Sequence, residues 1–277
     1  MSTRSAATKV VWFRIPILFL LVVCADSCVG INPMSSPKAN RDMKRFYEEG
    51  TEAFAAEDYQ RAVNNYSRAL DISSGWLMLK ADMKKNLWAY ATLNRGCAYY
   101  GAGEYHKALA DLSVVAKSVT AERDAVTEET RKPTQWFRME KKVPKALKCL
   151  AGAAYTNRSV VHYAMGDKAK SLADLTLAIE WNPEEGTAYH NRAFLYLERD
   201  EPELAIADLS RALALPTLVN DALKADILLL RARAYEAQEK REEAEKDRSA
   251  ASEVASTVES LPLGSKGSMF LVPLSPK

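Results

Sequence analysis

The stretches "TNRSVVHY" (Thr156–Tyr163), "HNRAFLY" (His190–Tyr196) and "LNRGCAYY" (Leu93–Tyr100) each write Asn-Arg, a small residue and a ring within four positions. One copy carries no information, but three copies point to a repeated structural unit. Aligned on the small residue, Gly96, Ser159 and Ala193 coincide, and Gly50 and Ala232 join them from "EEGTEAF" and "LRARAY". Twelve residues on stand Ala62, Ala108, Ser171, Ala205 and Ala244, and seven further on Ala69, Val115, Ala178, Ala212 and Ala251. Fourteen of these fifteen positions are Gly, Ala or Ser, so the period belongs to the fold rather than to chance.

Small residues at such spacing let two antiparallel helices approach closely, and large residues three or four positions away fill the space between them. Tyr99, Tyr196, Tyr235, Tyr66, Leu112, Leu175 and Leu209 are the large partners. Each hairpin turns at a breaker, "AAEDY", "GAGEY", "AMGDK", "ERDEP" or "AQEKR", and Pro183 and Pro216 stop the third and fourth units just past a helix end. A single helical hairpin cannot bury its own apolar face, so the units must stack into a solenoid.

The spacing of these Gly/Ala, Tyr, Ala and Pro positions resembles the tetratricopeptide repeat, a helix-turn-helix unit of about 34 residues. The expected fold is therefore all-α, a right-handed solenoid of about five such repeats. The units fall at about 43–76, 89–122, 152–185, 186–219 and 225–258, within a solenoid of residues 41–258. The fifth departs from the pattern with Arg248 where a large apolar residue is usual, which suits a terminal cap facing water. "SGWLMLKADMKKNLWAY" and "DALKADILLLRARAY" read as early starts of the first helices of units two and five. The insert 123–151 is charged and broken by Pro133 and Pro144, a loop on the solenoid edge or a short helix. Trp136 and Phe137 within it either tuck against the body or form a contact patch.

At the N-terminus, Arg4, Lys9 and Arg14 precede the apolar run Ile15–Ala25. That run is shorter than the ~20 residues that span a bilayer. It fits a secretory signal peptide over residues 1–30, with a short membrane anchor, a buried segment or a lipid-modified Cys24 as the other readings. Residues 31–40 read as a linker and 259–277 as a Gly/Pro/Ser-punctuated tail. The expected location is outside the cytoplasm: secreted, periplasmic or in the lumen of the secretory pathway. The formal net charge is +2, and the first thirty residues account for it, so the body is near neutral and lacks the basic footprint of a nucleic-acid binder.

Two cysteines, Cys97 and Cys149, lie in the body. Cys149 precedes the unit-three counterpart of Cys97 by eleven residues, an offset of roughly 16 Å along nearly parallel helices, beyond the ~7 Å that a disulfide tolerates. Free thiols are expected. No metal-ligand spacing, phosphate-cradling glycine loop or nucleophile elbow appears, so no catalytic residue, cofactor, metal or small-molecule substrate is expected. The sequons at Asn65 and Asn157 fall within helices and are not expected to be used.

Arg95, Arg158, Arg192 and Arg231 are each followed sixteen residues later by Asp111, Asp174, Asp208 and Asp247. Four matched pairs predict a structural bridge from each first helix to a second helix. Asn94, Asn157 and Asn191 sit about 100° round from those arginines, toward the inner face. An amide offers both donor and acceptor to a peptide backbone. The resemblance implies a ladder of these three for a bound polypeptide; the other reading is that they bond the neighbouring helix. Tyr90, Cys97, Tyr100, Tyr163, His190 and Phe194 complete the expected peptide-binding face. The carboxylate clamp of cytosolic heat-shock chaperone partners is absent, because Leu93, Cys97, Thr156, Val160 and His190 occupy its basic positions.

The expected function is that of an exported, non-enzymatic scaffold binding a protein or peptide on its concave face. The alternative is an assembly subunit that uses edges, insert or tail to build a complex or homo-oligomer. The apolar run Met269–Leu274 has two expected seats, the end of the solenoid or its groove, with a passive tail as the third reading.

Overall fold

Small residues at helix crossings set the spacing of the whole molecule. The computed structural model describes residues 37–74, 81–131, 143–216 and 221–256, which are helical with no strand among them. The helices are α1 (Pro37–Ala55), α2 (Tyr59–Ser74), α3 (Ala81–Gly101), α4 (Tyr105–Arg131) and α5 (Lys145–Ala164). They continue with α6 (Lys168–Trp181), α7 (Gly186–Glu198), α8 (Pro202–Leu213), α9 (Asp221–Ala237) and α10 (Arg241–Ser256). Among the described residues successive helices pack as hairpins, α1 with α2, α3 with α4, α5 with α6, α7 with α8 and α9 with α10. A Cβ added at Gly50 would stand 2.9 Å from the Tyr66 ring, and one at Gly96 would stand 2.9 Å from Leu112. The second-helix positions Ala62, Ala108, Ser171 and Ala205 are each 0% exposed.

Every hairpin turns the same way. Glu57, Gly103, Gly166, Asp200 and Glu239 hold the fifteenth position of their units and all have positive φ, between 59° and 84°. Around each, the next amide bonds the carbonyl five residues back and the residue's own amide bonds the carbonyl three back, as in Asp58 N to Ala53 O and Glu57 N to Phe54 O. This is the Schellman closure of a helix. Asp58 and Asp167 then start the second helices, each accepting from the amide three residues on.

Each first helix touches the first helix of the next unit, whereas no described second helix touches another. First helices therefore line the inner wall and second helices the outer. The apolar core runs through units one to three into Ala188 and Leu195 of α7, and a second cluster, from Tyr189 to Ala234, fills units four and five.

The element boundaries differ from expectation in two places. α1 begins at Pro37, inside the expected linker, because proline is favoured in a first helical turn. The insert is partly helical: "AERDAVTEETR" holds no Gly or Pro, so α4 runs on to Arg131, just short of Pro133, and α5 restarts directly after Pro144. The expected signal peptide, the Trp136–Phe137 patch and the tail 259–277 lie outside the described residues. Among the described residues no helix is long and apolar enough to cross a membrane.

Candidate functional site: the wall of first helices

The arginines hold the wall in register. Arg95 Nε and Nη2 donate to Asp111 at 2.7 and 2.9 Å, and Arg158, Arg192 and Arg231 clasp Asp174, Asp208 and Asp247 with the same two-pronged geometry. Each acid lies on the second helix of the same unit. The carboxylate raises the guanidinium pKa in all four pairs, chiefly through the hydrogen bond and against the cost of burial.

A further partner was not read from the sequence. Arg95 Nη1 also donates to Ser67 at 3.3 Å, Arg192 Nη1 to Thr176 at 3.5 Å and Arg231 Nη1 to Ser210 at 3.1 Å, each on the second helix of the preceding unit. One side chain therefore ties three helices. The signal is in the sequence: a hydroxyl follows the acid position by two residues in all five units, at Ser67, Ser113, Thr176, Ser210 and Ser249.

The nine residues expected on the binding face divide into two groups. Asn94, Asn157, Asn191, Cys97 and His190 are interior, at 0–2% exposure. Asn94 Nδ2 donates to the Tyr47 hydroxyl of the preceding first helix at 2.8 Å, and Asn157 Nδ2 donates to Cys97 Sγ at 3.1 Å. His190 Nδ1 lies 3.2 Å from Asn191 Oδ1, an acceptor, which puts the proton of the neutral ring on Nδ1. For Asn94 and Asn157 the geometry is that of the second reading, an amide bonding the neighbouring helix. The reason is close packing: these positions face the preceding first helix, and small buried residues such as Ala91, Ala98, Ala151 and Ala154 let the first helices approach.

Burial governs the titration of this interior. It pushes the Cys97 thiol up, which keeps it a poor nucleophile, and pushes His190 down to about 4. Cys97 and Cys149 are both free thiols. Asn65 and Asn157, the two sequon asparagines, are 6% and 0% exposed inside helices, where a folded chain has no room for a glycan.

Tyr90, Tyr100, Tyr163 and Phe194 are partly exposed and make the open part of the wall. Tyr163 and Phe194 meet edge to face at 5.6 Å, which places both on the inner, first-helix side. The Tyr163 hydroxyl donates to Glu198 Oε1 at 2.8 Å, and Lys168 Nζ sits 3.2 Å from the other Glu198 oxygen. Burial, reinforced by that carboxylate, pushes the Tyr163 phenol up to about 12. Tyr100 packs on Tyr105 with ring centroids 5.6 Å apart, and the Tyr59 ring fills the space above Gly101. The result is a row of rings crossing units one to four along the edge where the hairpins turn. Among the described residues no three His, Cys, Asp or Glu side chains gather as a metal site.

Residues 152–185, unit three, match the family model of the tetratricopeptide repeat. No curated protein matches the chain. Among solved structures the chain is similar to BtubC (BKLC) from P. vanneervenii, at 14% identity and a TM-score of 0.55, over 87% of this chain and all of that one. It is also similar to a putative kinesin light chain from Podosopora anserina with nearly identical TPR-like repeats, at 17% identity and a TM-score of 0.52, over 81% of this chain and all of that one. At these identities the likeness speaks for the fold: an all-α solenoid of tetratricopeptide-type hairpins, whose third unit is a tetratricopeptide repeat by sequence as well.

Proposed function

We propose that this chain is an exported, non-enzymatic protein–protein interaction scaffold that binds an extended polypeptide along its wall of first helices. The observation that carries the reading is the set of partly exposed rings on the first helices, Tyr100, Tyr163 and Phe194 in a row along the turn edge and Tyr90 farther back on α3, on a wall whose backbone is rigidly keyed by the arginine clasps. Large rings present much contact area for little conformational entropy, the property expected of binding anchors. The asparagine ladder is not needed for this reading, since the rings rather than the amides reach solvent.

The test is a pool of random extended peptides displayed on phage and selected against the chain. Binders should lose at least ten-fold in affinity with Tyr163→Ala or Phe194→Ala. They should be indifferent to Leu177→Ala on the outer face, where Leu177 is 37% exposed. Binding insensitive to both wall substitutions would move the site elsewhere. Export is tested separately, by N-terminal sequencing of the natural protein, with a start near residues 26–31 expected and an intact Met1 or Ser2 counting against it.

A further inference from the structure

The rings of the turn edge, Tyr59, Tyr100, Tyr105, Tyr163 and Phe194, form an apolar surface with hydroxyl tips and no described segment lying over it. The chain itself supplies an occupant of matching chemistry. After α10 ends at Ser256, the sequence continues through Gly264, Lys266 and Gly267 to "MFLVPLSPK", Met269–Lys277, which joins five apolar residues to two prolines and holds no acidic side chain. Prolines hold such a segment extended, and aromatic rows are the surfaces on which extended proline-containing segments dock.

We propose that Met269–Lys277 is an internal ligand of this ring row, lying across Tyr100, Tyr163 and Phe194. The proposal rests on the reading of the wall as polypeptide-binding and names one occupant for it.

Reach permits the contact. Twelve residues separate Ser256 from Met269, enough to span roughly 40 Å when extended. Crossing the length of α9 takes about 25 Å and two first-helix spacings about 20 Å, a diagonal of roughly 30 Å.

The outer face of unit five is a less apolar seat for this segment. At the two second-helix positions that pack on the following unit, units two to four carry Leu109, Leu172 and Ile206, and Ala116, Ile179 and Leu213, all at least partly buried. Unit five carries Glu245 and Ser252 there, both exposed, so its outer face offers the segment nothing apolar to cover. The wall does, through its partly exposed rings Tyr100, Tyr163 and Phe194. A tether of this length gives a local concentration around millimolar, so even weak affinity keeps the row occupied.

The experiment uses a fluorescent peptide of residues 268–277 added to two full-length chains, the native one and one carrying Phe270→Asp and Leu271→Asp. The altered chain, its own segment disabled, should bind the peptide at least ten-fold more tightly than the native chain. Adding Tyr163→Ala should abolish the difference, with Phe194→Ala used if Tyr163→Ala alters helical content. Equal affinity for native and altered chains, or binding insensitive to both wall substitutions, overturns the proposal. Phage-selected peptides that still depend on Tyr163 would in that case leave the polypeptide-binding reading standing. If the altered chain binds neither those peptides nor the segment, that reading falls as well.

Discussion

Asp208 places both of its oxygens on Arg192 at 2.7 and 2.8 Å, with only 10% of its side chain exposed and 16% of the arginine's. Removing the acid would leave a guanidinium desolvated on the α7–α8 crossing with no carboxylate to face. Asp208→Ala should therefore destabilise by roughly 2 kcal/mol, less than a fully buried pair because the arginine regains some water. A shift of the urea midpoint with unchanged m-value checks it. Arg192→Lys should cost nearly as much, since an ammonium cannot bond both oxygens and Thr176 together. The pairing of Arg with Asp was legible in the sequence because it recurs at fixed spacing. The interior position of Asn94, Asn157, Asn191 and His190 was not, because a helix position turned inward and one turned toward a neighbouring first helix differ by less than a residue's rotation.

Two histidines, His190 and His162, and one carboxylate, Glu185 at the start of α7, give opposite pH dependences. His190 is held down to about 4 by burial, below its ordinary 6.5, so the unfolded chain takes up its proton first on acidification. The stability it contributes is present above about 6.5 and falls as pH drops toward 4. His162 is also lowered, by burial, and adds to the loss on the same side. Glu185 is pushed up to about 7, first by desolvation and against its bonds to Asn182 and Thr187, so its contribution is present below 4.5 and lost as pH rises through 7. Urea midpoints measured from pH 4 to 8 should show the acid-side loss shrinking in His190→Gln and the alkaline-side loss shrinking in Glu185→Gln. An unchanged profile in either variant would mean that another group titrates there.

Elements end where the backbone can reverse, and the five turns show how that choice is made. Gly103 and Gly166 sit at φ of 77° and 84° without penalty, whereas Glu57, Asp200 and Glu239 hold the same left-handed position at 59° to 60° with a Cβ. A residue with a Cβ there costs about 1–2 kcal/mol, partly offset because glycine is freer in the unfolded chain. Asp200→Gly should therefore stabilise by about 0.5–1 kcal/mol, read as a higher melting temperature, and Gly166→Ala should do the reverse. The breaker motifs located all five turns correctly, because a turn leaves a local chemical signature. The ends of α4 and α5 were harder to place: a charged run without Gly or Pro reads equally as loop or exposed helix, and Pro133 and Pro144 decided the outcome.

At the scale of the molecule, a stack of identical hairpins needs a reason to stop, since each unit is built to receive another. The fifth unit, the last one described, presents a polar face where a successor would pack. α10 presents Glu245, Ser249 and Ser252 to water at the positions where earlier second helices pack on their successors. Arg248, standing where Tyr66, Leu112, Leu175 and Leu209 fill the earlier units, turns out to solvent and bonds Glu236 instead. The opposite end is charged too: the first unit has Glu49 where later units carry the clasp arginine, and Glu49 pairs with Arg45 at 3.7 Å. Neither face can enter a heterologous stack without burying charge. Glu245→Leu combined with Ser252→Leu should change that, turning the end of α10 into a copy of the faces that units two to four bury. Both sites are exposed, so helical content should stay that of the native chain. Light scattering over a ten-fold range of concentration should then show the mass of the double variant rising with concentration while that of the native chain stays constant. If the variant keeps the native mass throughout, the polar end is not what limits the stack to five units, and the charges on α1 would be the next to alter.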